Sequence, residues 1–221
     1  MVNVRTGIIL IPKYKLAYIR CSKNASTSTM LTLAHLEGKN LENMNVHQAN
    51  RDGVFGEIIY KWEQIPHDYN KFTVIRNPYE RAVSCYINWI EKPRELNKIS
   101  HVGKLYGINK NNFNEFNYED FIDGAIKRDE VRKLDPHMMR QYENCNVEQL
   151  NTIIRFENYE KEFKSKILDN LNVNYKLYHI NKSKPYNYRD YYTQNILDKF
   201  NQLYKNDVEK LGYGWYNVKS K

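Results

Sequence analysis

A strand–loop–helix pattern that occurs twice constrains the fold of this chain more than any other feature. In the first copy, YIRCSKNASTSTML (residues 18–31), a short apolar strand at 16–20 is followed by a loop of Ser, Thr, Asn and Lys. Apolar residues at helical spacing then predict a helix over 27–36. A strand, a polar loop and a helix in this order form the opening unit of an α/β nucleotide fold.

The second copy is the segment KFTVIRNPYERAVSCYINWI, residues 71–90. Its strand ends at Pro78, which suits the first turn of the helix predicted at 79–90. Each copy places its polar loop at the carboxyl end of a strand, the edge where open α/β sheets bind ligands. The sequence therefore predicts a single α/β domain over 1–221, with a central, mainly parallel sheet flanked by helices.

Both loops carry groups suited to an anion. A helix N-terminus presents N–H groups and the positive end of the helix dipole, and Lys23 adds a charge beside it. In the second copy, Arg76 ends the strand and Ser84 lies about two turns into the helix. Taken singly, a hydroxyl-rich helix start is usually an N-cap, and a strand-end arginine usually forms a structural ion pair. The pair of loops is more specific, and it lacks the GxxxxGK[ST] pattern of a nucleoside-triphosphate loop.

The charge of the chain agrees with an anionic ligand. A net charge of +8 and a pI near 9.2 favour a nucleotide, a polyanionic sugar or nucleic acid, although a lysine-rich solvated surface gives the same numbers.

The three cysteines show neither a disulfide framework nor the clustering of a zinc site, and we expect no bound metal. The apolar run at 7–11 is too short for a membrane span and no signal-peptide cleavage pattern follows it, so we expect a cytoplasmic protein without stable membrane insertion, provided that Met1 is the natural start.

Residues 91–118 depart from the alternating pattern. The segment EKPRELNKISHVGKLYGINKNNFNEFNY is rich in Asn and Lys and only weakly periodic. We expect a long surface loop excursion there, either a lid or substrate loop or an insertion without a function.

The two loops together resemble the donor-binding signatures of sulfotransferases that use 3′-phosphoadenosine-5′-phosphosulfate (PAPS). The motifs are SKNASTS (22–28) and FTVIRNPYERAVSCY (72–86), and they are closest to the carbohydrate branch with the uronyl 2-O- and chondroitin enzymes and their small bacterial relatives. Three later blocks continue the resemblance: DPHMMRQYENC (135–145), IIRFENYEKEF (153–163) and a C-terminal stretch at 179–213. The resemblance implies a P-loop-like sulfotransferase fold, PAPS as donor with PAP as product, and a carbohydrate acceptor.

The resemblance also implies roles for residues of this chain. Lys23 and the five residues after it would hold the 5′-phosphosulfate, with Lys23 stabilising the leaving oxygen. Arg76 and Ser84 would hold the 3′-phosphate, and a C-terminal group would close over the nucleotide with help from Lys182 and Lys184. The implied donor-binding residues are Lys23, Asn24, Ala25, Ser26, Thr27, Ser28, Arg76, Ser84, Ser183, Tyr188 and Arg189. Relatives often have Pro-Lys-Thr or Pro-Lys-Cys at 22–24, so the resemblance leaves the contacts of Asn24 open.

Sulfuryl transfer needs a general base for the acceptor hydroxyl. His47 lies between the two donor loops, where related carbohydrate enzymes carry a catalytic histidine. The resemblance therefore makes His47 our first choice for the base and also implies that it contacts the substrate. The alternative is a surface histidine without a catalytic role. Glu57 is the second candidate, because some sulfotransferases use a glutamate, whereas His67 and His137 are weaker. Arg20 matches an arginine of the uronyl enzymes, and this resemblance implies contact with the sulfate or an acidic sugar. The alternative is an ion pair at the end of the strand.

Three other functions remain open at this point. A P-loop-like nucleotide kinase is disfavoured by the missing glycines and the lack of an evident magnesium carboxylate. A non-catalytic nucleic-acid binder would use the 19 tyrosines to stack bases, although many of them lie at helical core spacing. A sulfotransferase for protein tyrosine or for a small molecule would have the same donor loops and a different acceptor. We therefore expect a nucleotide sulfate donor and a carbohydrate as partners, and no nucleic acid.

Overall fold

The computed structural model describes residues 3–39, 49, 54–55, 57–173, 175–178 and 186–218. Contacts divide the chain into two compact units. The first comprises Met1–Arg76 and Gln141–Lys182, and the second comprises Asn77–Arg140 and Ser183–Lys221. Within the described ranges, the strands all belong to the first unit, and the second unit is helical. The single domain expected over 1–221 stays a prediction.

Five strands of the first unit form a mixed sheet. They are β1 (Asn3–Ile11), β2 (Leu16–Ile19), β3 (Glu57–Lys61), β4 (Asn70–Ile75) and β5 (Thr152–Arg155), in the order β3-β1-β2-β4-β5. β2, β4 and β5 run parallel, whereas β1 pairs antiparallel with both β2 and β3. The predicted α/β architecture is confirmed. Its parallel part is limited to β2, β4 and β5, because a short 3₁₀ turn at Pro12–Tyr14 returns the chain as a hairpin between β1 and β2.

Helices follow both predicted loops. The α-helices in chain order are α1 (Ser26–Leu36), α2 (Pro78–Tyr86), α3 (Lys92–Glu95), α4 (His101–Leu105), α5 (Tyr118–Glu130), α6 (Gln141–Asn144), α7 (Tyr159–Phe163) and α8 (Gln194–Lys210). π-helical turns at Ile87–Glu91 and Lys164–Leu168 continue α2 and α7. The helices predicted at 27–36 and 79–90 are confirmed, each beginning one residue earlier. Among the described residues, no helix combines the length and the apolar character that crossing a bilayer requires.

The central strands of the first unit are buried on both faces. Ile9 of β1 packs with Leu33 of α1 in one apolar cluster, while Ile8 and Leu10 pack with Trp62 in another. Successive residues of a strand point to opposite faces, so β1 contributes to both clusters. This explains the continuous apolar run at 7–11, since a strand covered on both sides has no polar face.

The second unit is built around α2, α5 and α8, and it corrects the expectation for 91–118. That segment contains α3 and α4 and contributes Val102, Tyr106, Ile108 and Phe116 to the core, each at most 5% exposed. These apolar residues are spaced irregularly among Asn and Lys, so a search for periodicity could not show that they are buried. The segment is therefore anchored to the core by these four residues, while half of its residues are exposed at the surface.

Gly124 of α5 gives a test of this packing. A Cβ atom at Gly124 would lie 2.9 Å from the carbonyl oxygen of Tyr106, closer than real Cβ contacts allow. Alanine favours a helix over glycine by about 1 kcal/mol. We nevertheless expect the close contact to dominate, so that Gly124→Ala lowers the free energy of unfolding by about 1–3 kcal/mol. Urea denaturation measures the change. Gly214→Ala is the control, because no atom lies within 4 Å of its Cβ position; equal stability of Gly124→Ala and the wild type would contradict the close approach.

Candidate functional site

The first loop adopts its shape without glycine. It spans residues 20–25 between β2 and α1, and Lys23 and Ala25 have left-handed backbone angles, with φ of 68° and 53°. This conformation costs a residue with a Cβ roughly 1–2 kcal/mol, and strain of this kind persists where surrounding contacts enforce it. The loop is therefore held in one shape by its neighbours.

The start of α1 is suited to an anion. Its N-cap residue, Ala25, has no side-chain acceptor for the N–H groups of the first turn, and that turn contains no acidic residue. Uncapped N–H groups and the positive end of the helix dipole both favour a phosphate or sulfate. Ser26 and Thr27 are half-buried at this end, whereas Ser28 is buried.

Arg76 connects the second loop to the first. It follows β4, is only 6% exposed, and its Nη1 donates to the carbonyl oxygen of Lys23 at 3.2 Å. Its guanidinium lies over the ring of Phe156, 4.2 Å from the centroid. Lys23 and Arg76, two of the eleven residues that the resemblance assigns to the donor, therefore lie together in the first unit.

Gln141, at the start of α6, joins the same two loops through its side-chain amide. Its Oε1 accepts from the backbone N–H of Arg76 at 2.9 Å and from Nδ2 of Asn24 at 2.6 Å. Its Nε2 donates to the carbonyl oxygen of Arg76 at 2.8 Å. Both Gln141 and Asn24 are completely buried. Gln141 was missed by sequence reasoning, although it belongs to the DPHMMRQYENC block that carries the resemblance.

The structure also supplies the contacts of Asn24 that the resemblance left open. Besides its bond to Gln141, Nδ2 of Asn24 donates to the carbonyl oxygen of Val74 on β4 at 2.8 Å. The residue therefore lies between the two left-handed residues of the loop and ties them to the sheet. These two bonds hold the loop against β4 and α6.

Arg20, the predicted acceptor contact, begins the loop. Its backbone N–H donates to Gly7 of β1 at 3.2 Å, and its carbonyl oxygen accepts from the hydroxyl of Thr6. Burial lowers the pKa of its guanidinium, yet an arginine remains charged throughout the physiological range. A positive charge is thus fixed where the strand ends and the loop begins.

Glu57 is not brought to the loop. Leu10 of β1 pairs with Glu57 on one side and with Ala17 on the other, so Glu57 lies level with the beginning of β2. The loop leaves from the opposite end of β2, and two strand spacings, roughly 10 Å, separate β3 from β2. Glu57 is also exposed at the edge of the sheet. The predictions for His47, Lys182, Ser183 and Lys184 lie outside the described residues.

Three other predicted donor contacts belong to the second unit. Ser84 is buried on α2 with 4% exposure. Tyr188 and Arg189 begin a 3₁₀ turn at Tyr188–Tyr191, and the exposed guanidinium of Arg189 lies 5.7 Å from the ring centroid of Tyr188 and 5.6 Å from that of Tyr216. Within that unit Arg189 is an accessible cation supported by two aromatic rings.

Comparison with known families decides what kind of protein this is. The profile described as the sulfotransferase family matches residues 6–214. The chain belongs to the sulfotransferase family. Membership in this family supports a transferase of sulfuryl groups over a nucleotide kinase. Searches of curated proteins and of solved structures returned no significant match.

The first unit brings together three groups that suit an anion. They are the start of α1, which has no side-chain cap, the lysine of the preceding loop, and the arginine bonded to that loop. Each of them is positively charged or donates hydrogen bonds. Within the described ranges, no group of three or more His, Cys, Asp or Glu side chains is placed to hold a metal ion. The chemistry available here is binding, orientation and stabilisation of negative charge.

Removing the Gln141 amide tests whether it holds the two loops together. Gln141→Ala leaves the N–H and carbonyl groups of Arg76 without the partner that this amide provides, and a buried polar group without its partner costs about 1–3 kcal/mol. We expect the free energy of unfolding to fall by about 2–4 kcal/mol, measured by urea denaturation. Gln149→Ala, at an exposed position of the same unit, should change it by less than about 0.5 kcal/mol. Similar losses in the two variants would contradict a special role for Gln141.

Proposed function

We propose that this sulfotransferase transfers the sulfuryl group of PAPS to a hydroxyl group of a carbohydrate. The observation that carries the proposal is the hydrogen bond from Arg76 to the carbonyl oxygen of Lys23, because it unites two loops whose motifs both resemble PAPS signatures. The uncapped start of α1 fits the phosphosulfate end of such a donor, since that end is anionic and accepts hydrogen bonds. A cytoplasmic location stays part of the proposal.

Lys23 and the start of α1 would bind the phosphosulfate end of the donor. PAPS supplies an activated sulfuryl group and leaves as PAP. Lys23, fixed in its left-handed conformation, would place its charge near the bridging oxygen that becomes negative as the sulfuryl group departs. Residues 24–28 would contribute backbone N–H groups and hydroxyls. Asn24, whose Nδ2 group donates to Val74 and Gln141, would act by orienting the loop.

Little covalent chemistry is required of the protein. Sulfuryl transfer should parallel phosphoryl transfer, in which positioning of the two reactants and stabilisation of charge dominate catalysis. Arg76 would bind a phosphate of the donor as a planar, permanently charged donor of hydrogen bonds. The roles that the resemblance implies for Ser84, Tyr188 and Arg189 in binding the nucleotide stay predictions, as do the roles of His47 and Ser183.

The acceptor is the second part of the proposal. Its support is the resemblance to the carbohydrate branch and the positive net charge, which suits an acidic polysaccharide. Protein tyrosine and small phenols are the alternatives. A screen of ³⁵S-labelled PAPS against desulfated chondroitin, a tyrosine peptide and 4-nitrophenol separates them, and transfer to the peptide or the phenol alone would contradict a carbohydrate acceptor.

Two substitutions test the donor site. Lys23→Ala and Arg76→Ala each remove a cation expected to contact the donor, and a hydrogen bond to a charged group contributes about 1.5–3 kcal/mol. We therefore expect each variant to bind PAP at least about 10-fold more weakly in isothermal titration calorimetry, and both to lose transfer from PAPS.

Lys13→Ala is the matched control for charge. Lys13 is an exposed lysine of the turn between β1 and β2, so its removal lowers the net charge equally and should leave the affinity for PAP unchanged. Circular dichroism verifies that each variant is folded. If both Lys23→Ala and Arg76→Ala bind PAP as tightly as the wild type, PAPS is not bound by these loops and the proposal fails.

A further inference from the structure

Tyr60 presents an exposed aromatic ring on the sheet of the first unit. It is the penultimate residue of β3, and 55% of its surface is exposed. Of the large apolar residues that the structure describes in this unit, only Tyr60 is exposed to this extent. A single exposed ring is common on protein surfaces and needs no explanation by itself. The neighbours of Tyr60 make its position informative.

Tyr60 lies at the same edge of the sheet as the loop that carries Lys23. β2 and β3 both run antiparallel to β1, so they are parallel to each other and their carboxyl ends share one edge. Ile58 packs against the apolar cluster that contains Leu33 of α1. Because residues two apart in a strand share a face, the ring of Tyr60 lies on the face of the sheet against which α1 packs.

Gly7 of β1 leaves room for this ring next to Arg20. A Cβ atom at Gly7 would lie 3.4 Å from Cε1 and 3.8 Å from Cζ of Tyr60, and 3.1 Å from Cγ2 of Ile58. The ring therefore lies beside the backbone of β1, at a position that a side chain at residue 7 would crowd. The carbonyl oxygen of Gly7 accepts from the backbone N–H of Arg20 at 3.2 Å. One glycine thus contacts both the aromatic ring and the arginine that begins the first loop.

Arg20 gives this surface a positive charge. It is half-buried, and it lies close enough to the phenol of Tyr60 for the two groups to interact electrostatically. A flat aromatic ring packs well against the apolar face that the C–H groups of a pyranose form. A guanidinium beside that ring pairs with a carboxylate through charge-assisted hydrogen bonds. The combination of Tyr60 and Arg20 therefore suits a sugar acid.

The strand order places Tyr60 and Arg76 on opposite sides of the loop that carries Lys23. The order is β3-β1-β2-β4-β5, so the loop after β2 has β3 on one side, beyond β1, and β4 on the other. In-line transfer requires the acceptor oxygen and the leaving phosphate to lie on opposite sides of the sulfur atom. An acceptor held at Tyr60 would reach the sulfuryl group from the side opposite to Arg76, which is proposed to bind the donor.

We propose that Tyr60, together with Arg20, forms an acceptor subsite that binds a sugar acid beside the first loop. This inference rests on the transfer to a carbohydrate proposed above. Tyr60 determines specificity by packing its ring against the sugar, and Arg20 pairs with the carboxylate of the sugar. Neither residue takes part in breaking or forming a bond. The sequence does not reveal this role for Tyr60, because a tyrosine near the end of a short strand belongs to no motif and its neighbours are set by strand pairing.

Two substitutions at Tyr60 separate the aromatic ring from the hydroxyl group. Tyr60→Leu keeps an apolar side chain but removes the flat ring, whereas Tyr60→Phe keeps the ring. With ³⁵S-labelled PAPS and desulfated chondroitin, we expect Tyr60→Leu to raise KM for the polysaccharide by about 3–10-fold. The affinity for PAP, measured by calorimetry, should be unchanged, and Tyr60→Phe should behave like the wild type. Trp215→Ala is the control, because it removes an exposed aromatic residue of the second unit.

Carboxyl-reduced, desulfated chondroitin tests the charge of the subsite. The wild type should have a KM at least about 10-fold lower for the polymer that keeps its carboxylates, because a hydrogen bond to a charged group is strong. Arg20→Gln should lose this preference, whereas Tyr60→Leu should raise KM for both polymers. An Arg20→Gln variant that keeps the full preference would contradict the assignment of the carboxylate to Arg20.

Binding of a desulfated chondroitin hexasaccharide, measured by calorimetry in the presence of PAP, separates the subsite from the proposed function. Weaker binding by Tyr60→Leu than by the wild type supports the subsite even if the wild type transfers no sulfate, in which case the proposed function alone fails. Equal hexasaccharide affinity and equal KM in Tyr60→Leu and the wild type overturn the subsite, while transfer by the wild type leaves the proposed function intact. A wild type that does not bind the hexasaccharide, or a loss of PAP affinity in Tyr60→Leu in parallel with the rise in KM, also overturns the subsite.

Discussion

The side-chain amide of Gln141 satisfies both backbone groups of Arg76 at the point where β4 has ended. Beyond Ile75 the parallel pairing with β5 stops, so the N–H and carbonyl groups of Arg76 need another partner to be buried. Gln141 supplies one donor and one acceptor in a single plane, as a neighbouring strand would. Because its acceptor oxygen also receives Nδ2 of Asn24, the conformations of both loops depend on this one buried group.

Several independent contacts fix the conformation of the first loop. Lys23 and Ala25 hold left-handed conformations on either side of Asn24, and Arg76 bonds to the carbonyl oxygen of Lys23 itself. A glycine at either position would relieve the strain but would also widen the range of shapes open to the loop. The residue that carries the charge proposed to meet the donor is therefore one whose backbone is fixed.

The sequence predicts the local elements better than the contacts between them. The strand predicted at 16–20 and the helix predicted at 27–36 follow from a short apolar run and from helical spacing, which are local properties, and both are present at Leu16–Ile19 and Ser26–Leu36. The antiparallel half of the sheet and the burial of Val102, Tyr106, Ile108 and Phe116 depend on pairing and packing, which periodicity does not encode. The donor roles predicted for Lys23 and Arg76 rest on their charge in the two loops and on the resemblance. Gln141 is an uncharged amide, and only its contacts reveal its importance.

Preorganisation links these observations to binding. A lysine on a mobile loop loses conformational entropy when it closes on an anion, and that loss lowers affinity. Here the backbone of Lys23 and the side chain of Arg76 are ordered when the first unit folds, because Arg76 is only 6% exposed and its guanidinium lies over the ring of Phe156. The conformational entropy of these groups is therefore lost during folding, and it is not lost again at each binding event. The left-handed conformations of Lys23 and Ala25 cost stability, and the contacts of Asn24, Gln141 and Arg76 offset that cost. The proposed affinity for the donor and the stability of this loop would therefore depend on the same three residues.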